Sequence, residues 1–126
     1  MKIFSLLLII GALLISSCNS EQPVEPQIQE DILGLWELHA QTGTAADICD
    51  GQLGELAQFS ANGQAYFQCP GADIYYASYT AVDNVLTFTD TGLQYNISLP
   101  NDTNMILTAI GIDRILTYSR NLIYQN

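Results

Sequence analysis

The chain has very few basic residues. It contains one lysine, Lys2, and two arginines, Arg114 and Arg120, against 13 aspartates and glutamates, so its formal net charge at pH 7 is −10. Proteins that bind nucleic acids or anionic lipid headgroups do so through clusters of basic side chains. The composition therefore excludes nucleic acid and an anionic lipid surface as direct partners.

Catalytic and metal-binding motifs are equally scarce. The only histidine is His39, and neither CxxC nor HxxH spacing occurs, so a zinc site is not expected. His39 and Glu37 share one face of a predicted strand and would form an acid–base pair. That face is the outer one if Trp36 points inward, and no Gly-x-Ser-x-Gly nucleophile motif accompanies the pair. We predict no enzyme, no catalytic residue and no cofactor.

One acidic loop deserves comparison with calcium sites. Asp47, Asp50 and Glu55 lie close to Gly51, and carboxylate oxygens are the ligands that calcium prefers. Their spacing does not match an EF-hand loop, and acids are abundant along the chain. A solvated acidic loop is the favoured interpretation.

The only long apolar run lies at the N-terminus. It spans residues 3–15 and follows a basic start, and it is shorter than the roughly 20 residues that a membrane-spanning helix needs. Such a run is typical of the apolar region of a signal peptide. Ser16-Ser17-Cys18 comes next and resembles the bacterial lipobox, in which a cysteine is lipidated and the chain is cut before it. The alternative is a plain secretory peptide with an incidental Cys18.

These features predict the organisation of the chain. Residues 1–17 form a lipoprotein signal peptide, and Cys18 carries a lipid that binds the membrane. Residues 18–31, polar with two prolines, form a flexible tether. Residues 32–126 form one domain in the cell envelope, on the outer membrane of a Gram-negative bacterium, facing either the periplasm or the outside.

Two cysteines remain once Cys18 is lipidated. In an oxidising compartment, Cys49 and Cys69 are expected to form a disulfide. Closing a loop of about 20 residues would add roughly 3 kcal/mol to the stability of a small domain. Two free thiols or a metal site are the alternatives.

After residue 31 the sequence has the pattern of short strands. Turn signals recur about every ten residues, and no stretch has a helical period. Asn62-Gly63 is the strongest hairpin signal, typical of a type I′ turn in which both residues have positive φ. The predicted strands are Gly34–Ala40, Leu53–Ser60, Gln64–Cys69, Ile74–Val82, Val85–Thr89, Leu93–Leu99, Asn104–Ile110 and Arg114–Ser119. Eight hairpin-linked strands predict an all-β antiparallel meander closed into a small barrel.

Large side chains on the inner faces of these strands are candidates for a binding pocket. Barrel mouths are common ligand sites. The alternative is a core filled by side chains, because an eight-stranded barrel is only wide enough for its own side chains or one small ligand. The candidate lining residues are Phe59, Phe67, Phe88, Tyr95 and Tyr118.

In its order of motifs the chain resembles bacterial lipocalin-like lipoproteins, which carry a small calycin-type domain. The motifs are Gly34-Leu35-Trp36, Cys49, Phe59–Gly63, Cys69, Tyr79–Thr87, Tyr95–Leu99 and Leu116–Arg120. The resemblance implies an eight-stranded up-and-down barrel with Trp36 packed across its floor. It also implies an arginine stacked on Trp36, for which Arg120 matches best and Arg114 second.

Two functions follow from these predictions. The first is a lipid-anchored envelope protein that binds a small apolar ligand. The alternative is a protein-interaction or structural lipoprotein, a class that includes barrel-type protease inhibitors, with a filled barrel. A cavity larger than about 300 Å³ would favour the first. A filled barrel with an exposed apolar patch would favour the second.

Overall fold

The structure is a computed structural model and describes residues 27–121. The predicted signal peptide, Cys18 and most of the predicted tether lie outside the described residues. The strands are β1 (Gly34–Thr42), β2 (Leu56–Phe59), β3 (Gln64–Gln68), β4 (Tyr75–Val82), β5 (Val85–Phe88), β6 (Gln94–Asn101), β7 (Asn104–Ala109) and β8 (Ile115–Arg120). Two short 3₁₀ segments, Glu30–Ile32 and Ile48–Gly51, precede and follow β1. No helix among the described residues is long and apolar enough to cross a membrane.

The eight strands form a closed barrel in chain order, and each pairs with its neighbours in antiparallel fashion. Closure comes from the pairing of β1 with β8, in which Trp36 lies opposite Arg120 and Leu38 opposite Tyr118. The predicted all-β fold, the strand number and the meander order are confirmed. Alternation along each strand fills the barrel with apolar side chains, because successive residues point to opposite faces.

Every predicted strand differs from the observed one by at least one residue at one end, and three boundaries differ by two residues or more. β1 continues to Thr42, because a bulge between Leu38 and Ala40 keeps it paired with β8. β2 begins at Leu56 rather than Leu53, so the preceding loop is longer than expected. β6 runs through Pro100, where the ladder with β7 shifts its register; the missing N–H of the proline is tolerated at such an irregularity.

The type I′ turn lies at a different hairpin from the one predicted. Asp83 and Asn84 have φ of 53° and 61° and join β4 to β5 in a two-residue turn. At the predicted site only Gly63 has positive φ, 85°, and the Ser60 amide bonds to the Gln64 carbonyl. That turn is one residue longer and uses Gly63 in the manner of a G1 bulge, so the type I′ assignment to Asn62-Gly63 was wrong.

The barrel has a closed end and an open end. The closed end carries the chain entry, the β2–β3, β4–β5 and β6–β7 turns and the end of β8. The open end carries the other four connections, residues 43–55, 69–74, 89–93 and 110–114. Large side chains fill the closed half, including Ile32, Trp36 and Met105, each with no exposed surface.

The segment before β1 is part of the folded body. Ile28 makes a parallel bridge with Ala81, and the Gln29 amide donates to the Ala81 carbonyl at 2.7 Å. The Asn84 amide donates to the Gln29 side-chain oxygen at 3.0 Å. β3 pairs with β4 only as far as Ser78, which leaves this edge of β4 free for residues 27–29. These contacts begin upstream of residue 32, the predicted start of the domain.

Candidate functional site

The open end of the barrel contains a cavity of about 400 Å³. All five predicted lining residues are on its wall. Other lining side chains come from the loops of the open end and from both sides of the barrel. The lining includes the following aromatic and charged residues: Glu55, Phe59, Phe67, Tyr75, Phe88, Asp90, Tyr95, Arg114 and Tyr118. The barrel is therefore filled at its closed end and hollow at its open end.

Phe67 is the centre of the aromatic wall. Its ring centroid lies 6.0 Å from that of Phe59 and 5.6 Å from that of Phe88, both edge-to-face, and 5.2 Å from that of Tyr75, stacked. Tyr95 continues the wall with an edge-to-face contact to Phe88 at 6.1 Å. Such edge-to-face and stacked pairs hold the rings of the wall in defined relative orientations.

A carboxyl group lies in this otherwise apolar site. Glu55 is only 2% exposed, and the Tyr118 hydroxyl donates a hydrogen bond to its Oε1 at 2.6 Å. Burial raises the pKa of Glu55, although the bond from Tyr118 and the charge of Arg114 act in the opposite direction. Burial and the nearby Glu55 also raise the pKa of Tyr118 well above its usual value. The pair therefore favours a neutral tyrosine and a carboxyl that holds its proton to higher pH than usual.

Arg114 closes the wall beside this pair. Its Nε donates to the Ala45 carbonyl at 2.6 Å and its Nη1 to the Tyr95 hydroxyl at 2.9 Å. Its Nη2 forms a salt bridge with Asp47. Because Arg114 bonds to both Ala45 and Asp47, it positions the β1–β2 loop across the barrel mouth.

Two fixed points hold the β1–β2 loop. The Cys49–Cys69 disulfide joins it to the β3–β4 loop, with the two Cα atoms 5.4 Å apart, and confirms the predicted pairing. At its start Gly43 has φ of 108°, and a Cβ there would lie 2.3 Å from the Asp113 carbonyl oxygen. Only glycine allows this close approach to the β7–β8 loop. The cavity mouth is thus framed by loops tied to one another.

The candidate metal ligands do not form an open metal site. The sulfur atoms of Cys49 and Cys69 and a carboxylate oxygen of Glu55 lie within 4.8 Å of one another, but the sulfurs are bonded together and offer no thiolate. Asp47, Asp50 and Glu55 are not brought together: Asp47 pairs with Arg114, Asp50 is exposed, and Glu55 points into the barrel. The solvated-loop interpretation therefore fails for Glu55.

The remaining predicted residues lie away from the cavity. Glu37 and His39 are exposed on the outer face of β1, as their alternation with Trp36 predicted. The Arg120 guanidinium lies 4.1 Å from the Trp36 ring centroid at the closed end, the arrangement that the resemblance implied. Arg114, the second match, lies at the opposite end.

The role of Glu55 was missed at the level of sequence. It lies two residues before Ala57 and four before Phe59, and all three are buried. This alternation could have predicted the position of Glu55, because a strand that continues through residue 55 points the Glu55 side chain to the same inner face as Ala57 and Phe59. Because Glu55 follows Asp47 and Asp50 closely in sequence, it was assigned to the solvated acidic loop instead.

A second depression, of about 510 Å³, lies at the closed end between the chain entry and the β6–β7 turn. It is larger, but it lies outside the barrel and is bordered mainly by polar turn residues. Arg120, its one basic lining residue among those described, already donates to the carbonyls of Leu33, Asp31 and Asp102. The open-end cavity is the better candidate, because enclosure by aromatic side chains is typical of small-molecule sites.

No protein-family model matches this chain, and none of the curated proteins is significantly similar to it. The fold that the structure shows is a small closed antiparallel β-barrel of eight strands.

Proposed function

We propose that this protein is an envelope lipoprotein with a lipocalin-like domain, and that its barrel binds a small, largely apolar molecule. The cavity of about 400 Å³ is the observation that carries the proposal. Ligand pockets of proteins are typically about 300–1,000 Å³, and eight-stranded barrels that hold a ligand hold one small molecule. The few polar groups on an aromatic wall would orient such a ligand.

The position of the chain entry is compatible with a lipid anchor. Gln27 lies at the closed end, where its carbonyl accepts a hydrogen bond from the Ala81 amide. An anchor that joins the domain through this end leaves the opposite, open end accessible to a ligand. The anchor on Cys18 and the envelope location rest on the sequence pattern alone.

Native mass spectrometry tests the ligand proposal. The chain from Asn19 onward, which contains the whole closed barrel, is secreted without its lipid and purified from the envelope fraction. We expect a bound molecule that is released on denaturation, or saturable binding of the neutral apolar dye N-phenyl-1-naphthylamine. Absence of both results would contradict the proposal.

A cavity-filling variant localises the site. Ala77 lines the cavity, and Ala77→Phe would occupy part of its volume. We expect Ala77→Phe to lose the bound molecule and the dye. Ser98→Phe is the matched control, because Ser98 is exposed on the outer face of β6. Equal loss in both variants would mean that the ligand does not occupy the cavity.

A second candidate is contact with an envelope protein through the open end. Of the eight large hydrophobic residues that are exposed in the described chain, seven border the open end and only Val82 lies at the closed end. We call these seven the open rim: Leu53, Ile74, Tyr75, Tyr76, Ile110, Ile112 and Ile115. Clustered exposed apolar residues are typical of interaction sites.

Site-specific cross-linking tests this second candidate. A photo-reactive residue in place of Tyr76 should give a discrete protein adduct in intact cells, and one in place of Ser98 on the outer face of β6 should not. No adduct at Tyr76, or the same adducts at both positions, would argue against a partner at the open rim.

A further inference from the structure

The Glu55 carboxyl has one oxygen without a partner. Tyr118 occupies Oε1, and no described residue donates a hydrogen bond to Oε2. Every fully buried polar side-chain atom of the described residues has a hydrogen-bond partner. Because Oε2 has none, it is not fully buried, and we infer that it is reached from the cavity that Glu55 lines. A carboxyl buried among aromatic rings is costly unless a polar group completes its hydrogen bonding. The cavity ligand is the group placed to do so.

The charges around the cavity select among ligand headgroups. Glu55 and Asp90 line it as acids, whereas Arg114, its one basic lining residue among those described, is paired with Asp47. The chain carries a net charge of −10. An anionic headgroup would face Asp90 and, wherever Glu55 is ionised, a second negative charge. A neutral hydroxyl could donate the hydrogen bond to Glu55 but would gain nothing from these charges. An organic cation with an N–H group would donate the hydrogen bond to Glu55 and would also be attracted by the negative charges.

The wall suits a cation as well. Phe67, Phe88 and Tyr95 line the cavity as one cluster of edge-to-face contacts, and Tyr75 stacks on Phe67 at the mouth. Ring faces attract organic cations, and aromatic enclosures bind ammonium groups in this way. The same rings bury an apolar body.

We propose that the cavity ligand is an organic ammonium ion with an apolar body, and that its N–H donates to Oε2 of Glu55. This inference rests on the proposed ligand-binding function and names the class of ligand. The aromatic wall holds the apolar body, and the Tyr118 hydroxyl holds the carboxylate in place from the other side. The only bond that changes is the O–H bond of Glu55, whose proton passes to solvent where the carboxyl is protonated before binding.

Binding is coupled to a proton. Where Glu55 is protonated in the empty protein, an ammonium ion binds with release of that proton to solvent, so affinity rises with pH. The other ionisable groups that line the cavity with Glu55 are Tyr75, Tyr76, Asp90, Tyr95, Arg114 and Tyr118. Burial and the nearby Glu55 raise the pKa of Tyr75 to about 12, so it stays neutral in the same range.

Calorimetric titration with three probes of equal tail length tests the proposal: octylammonium, octan-1-ol and octanoate. The chain from Asn19 onward is used, because it includes the complete barrel and its disulfide. We expect octylammonium to bind about tenfold more tightly than octan-1-ol, as for a hydrogen bond to a charged group. Octanoate should bind most weakly. Titration in phosphate and in Tris, which differ in ionisation enthalpy, should show proton release with octylammonium only.

Variants separate the role of Glu55 from the charge of the whole chain. Glu55→Gln keeps the size of the side chain and should abolish the preference for octylammonium and the proton release, while octan-1-ol still binds. Glu37→Gln makes the same change on the outer face of β1 and should keep both effects.

The outcomes also separate this inference from the proposed function. Binding of octan-1-ol without a preference for octylammonium, or a preference that survives Glu55→Gln, would overturn the ammonium assignment and leave the ligand-binding function standing. Failure of all three probes and of the neutral dye would count against both.

Discussion

The Tyr118 hydroxyl donates a 2.6 Å hydrogen bond to the carboxyl of Glu55, and the two residues are 63 positions apart in the chain. Both are 2% exposed. The bond joins the last strand to the residue before β2 inside the barrel. The bond holds the Glu55 carboxyl on the wall of the aromatic cavity. The ionisation of this carboxyl should therefore make both the stability of the protein and its ligand binding depend on pH.

Stability should depend on the ionisation of Glu55. Burial raises its folded-state pKa above the ordinary 4.5, so the folded chain holds this proton when the unfolded chain has lost it. The stabilisation is complete below the unfolded pKa and is lost as pH rises through the folded pKa. We expect Glu55→Gln to gain stability relative to the natural chain as pH is raised from 4 upwards. Urea unfolding at a series of pH values measures this difference.

Glu37→Gln is the control for that series, because its carboxyl is exposed on β1. Its stability difference from the natural chain should stay nearly constant over the same pH range. A flat difference for Glu55→Gln as well would show that Glu55 ionises normally in the folded protein.

Replacing Trp36 should destabilise the closed end. Its ring has no exposed surface, its Nε1 donates to the Ile32 carbonyl at 2.8 Å, and Arg120 lies over it. Trp36→Ala should reduce the free energy of unfolding by about 3–5 kcal/mol, as for other large-to-small core substitutions. Denaturant unfolding at a pH well above the Glu55 transition provides the measurement. A loss below about 1 kcal/mol would show that the closed end does not depend on this side chain.

The disulfide should contribute to stability only under oxidising conditions. Cys49 and Cys69 are 20 residues apart, and such a cross-link adds about 3 kcal/mol in the chain-entropy model. The double variant Cys49→Ala, Cys69→Ala should unfold at a lower temperature than the natural chain in oxidising buffer. In excess dithiothreitol the two should become similar. If the gap persists under reductant, the cysteines act through packing and not through their bond.

Gly43 should resist substitution more than other turn glycines. A Cβ at Gly43 would meet the Asp113 carbonyl oxygen at 2.3 Å, whereas Gly92 also has positive φ but nothing within 4 Å. Gly43→Ala combines backbone strain with a backbone clash, and Gly92→Ala has the strain alone, about 1–3 kcal/mol. We expect a lower melting temperature for Gly43→Ala than for Gly92→Ala. Equal melting temperatures would show that the loops can separate without cost.

Cys18 should determine membrane attachment. If a lipid on Cys18 anchors the protein, Cys18→Ser should move it from the membrane fraction to the soluble fraction of the envelope after cell fractionation. Metabolic labelling with a tagged fatty acid should mark the natural chain and not the variant. A natural chain that is soluble and unlabelled would favour a plain secretory peptide, and a variant that stays in the membrane fraction would favour another mode of attachment.

The strand count and order were accessible from sequence because they depend on local signals. Alternation of apolar and polar residues and regular turn residues mark each strand separately, and short hairpin loops leave antiparallel neighbours as the main arrangement. Turn types were less accessible. Asn62-Gly63 has the stronger type I′ signal, yet Asp83-Asn84 forms that turn, because the pairing of β4 with β5 leaves only two residues for it.

The five aromatic lining residues were also accessible, since each lies at an inward position of its own strand. Whether they enclose a cavity or fill the barrel was left open. Whether the interior is filled depends on how far side chains from all eight strands reach across the barrel. That packing involves contacts between residues distant in sequence, which local sequence patterns do not reveal. Trp36, Ile32 and Met105 fill one end, and no side chain of the described residues fills the other.

The sequence by itself therefore determined the fold class and the strand order, and it predicted the disulfide and the inward side of several strands, because alternation, turn chemistry and the scarcity of cysteine are local or countable properties. Only the tertiary structure decided that the open end is hollow and that Glu55 lies within it against Tyr118. The physical reason is that burial and the pKa it perturbs depend on which distant strands meet when the barrel closes.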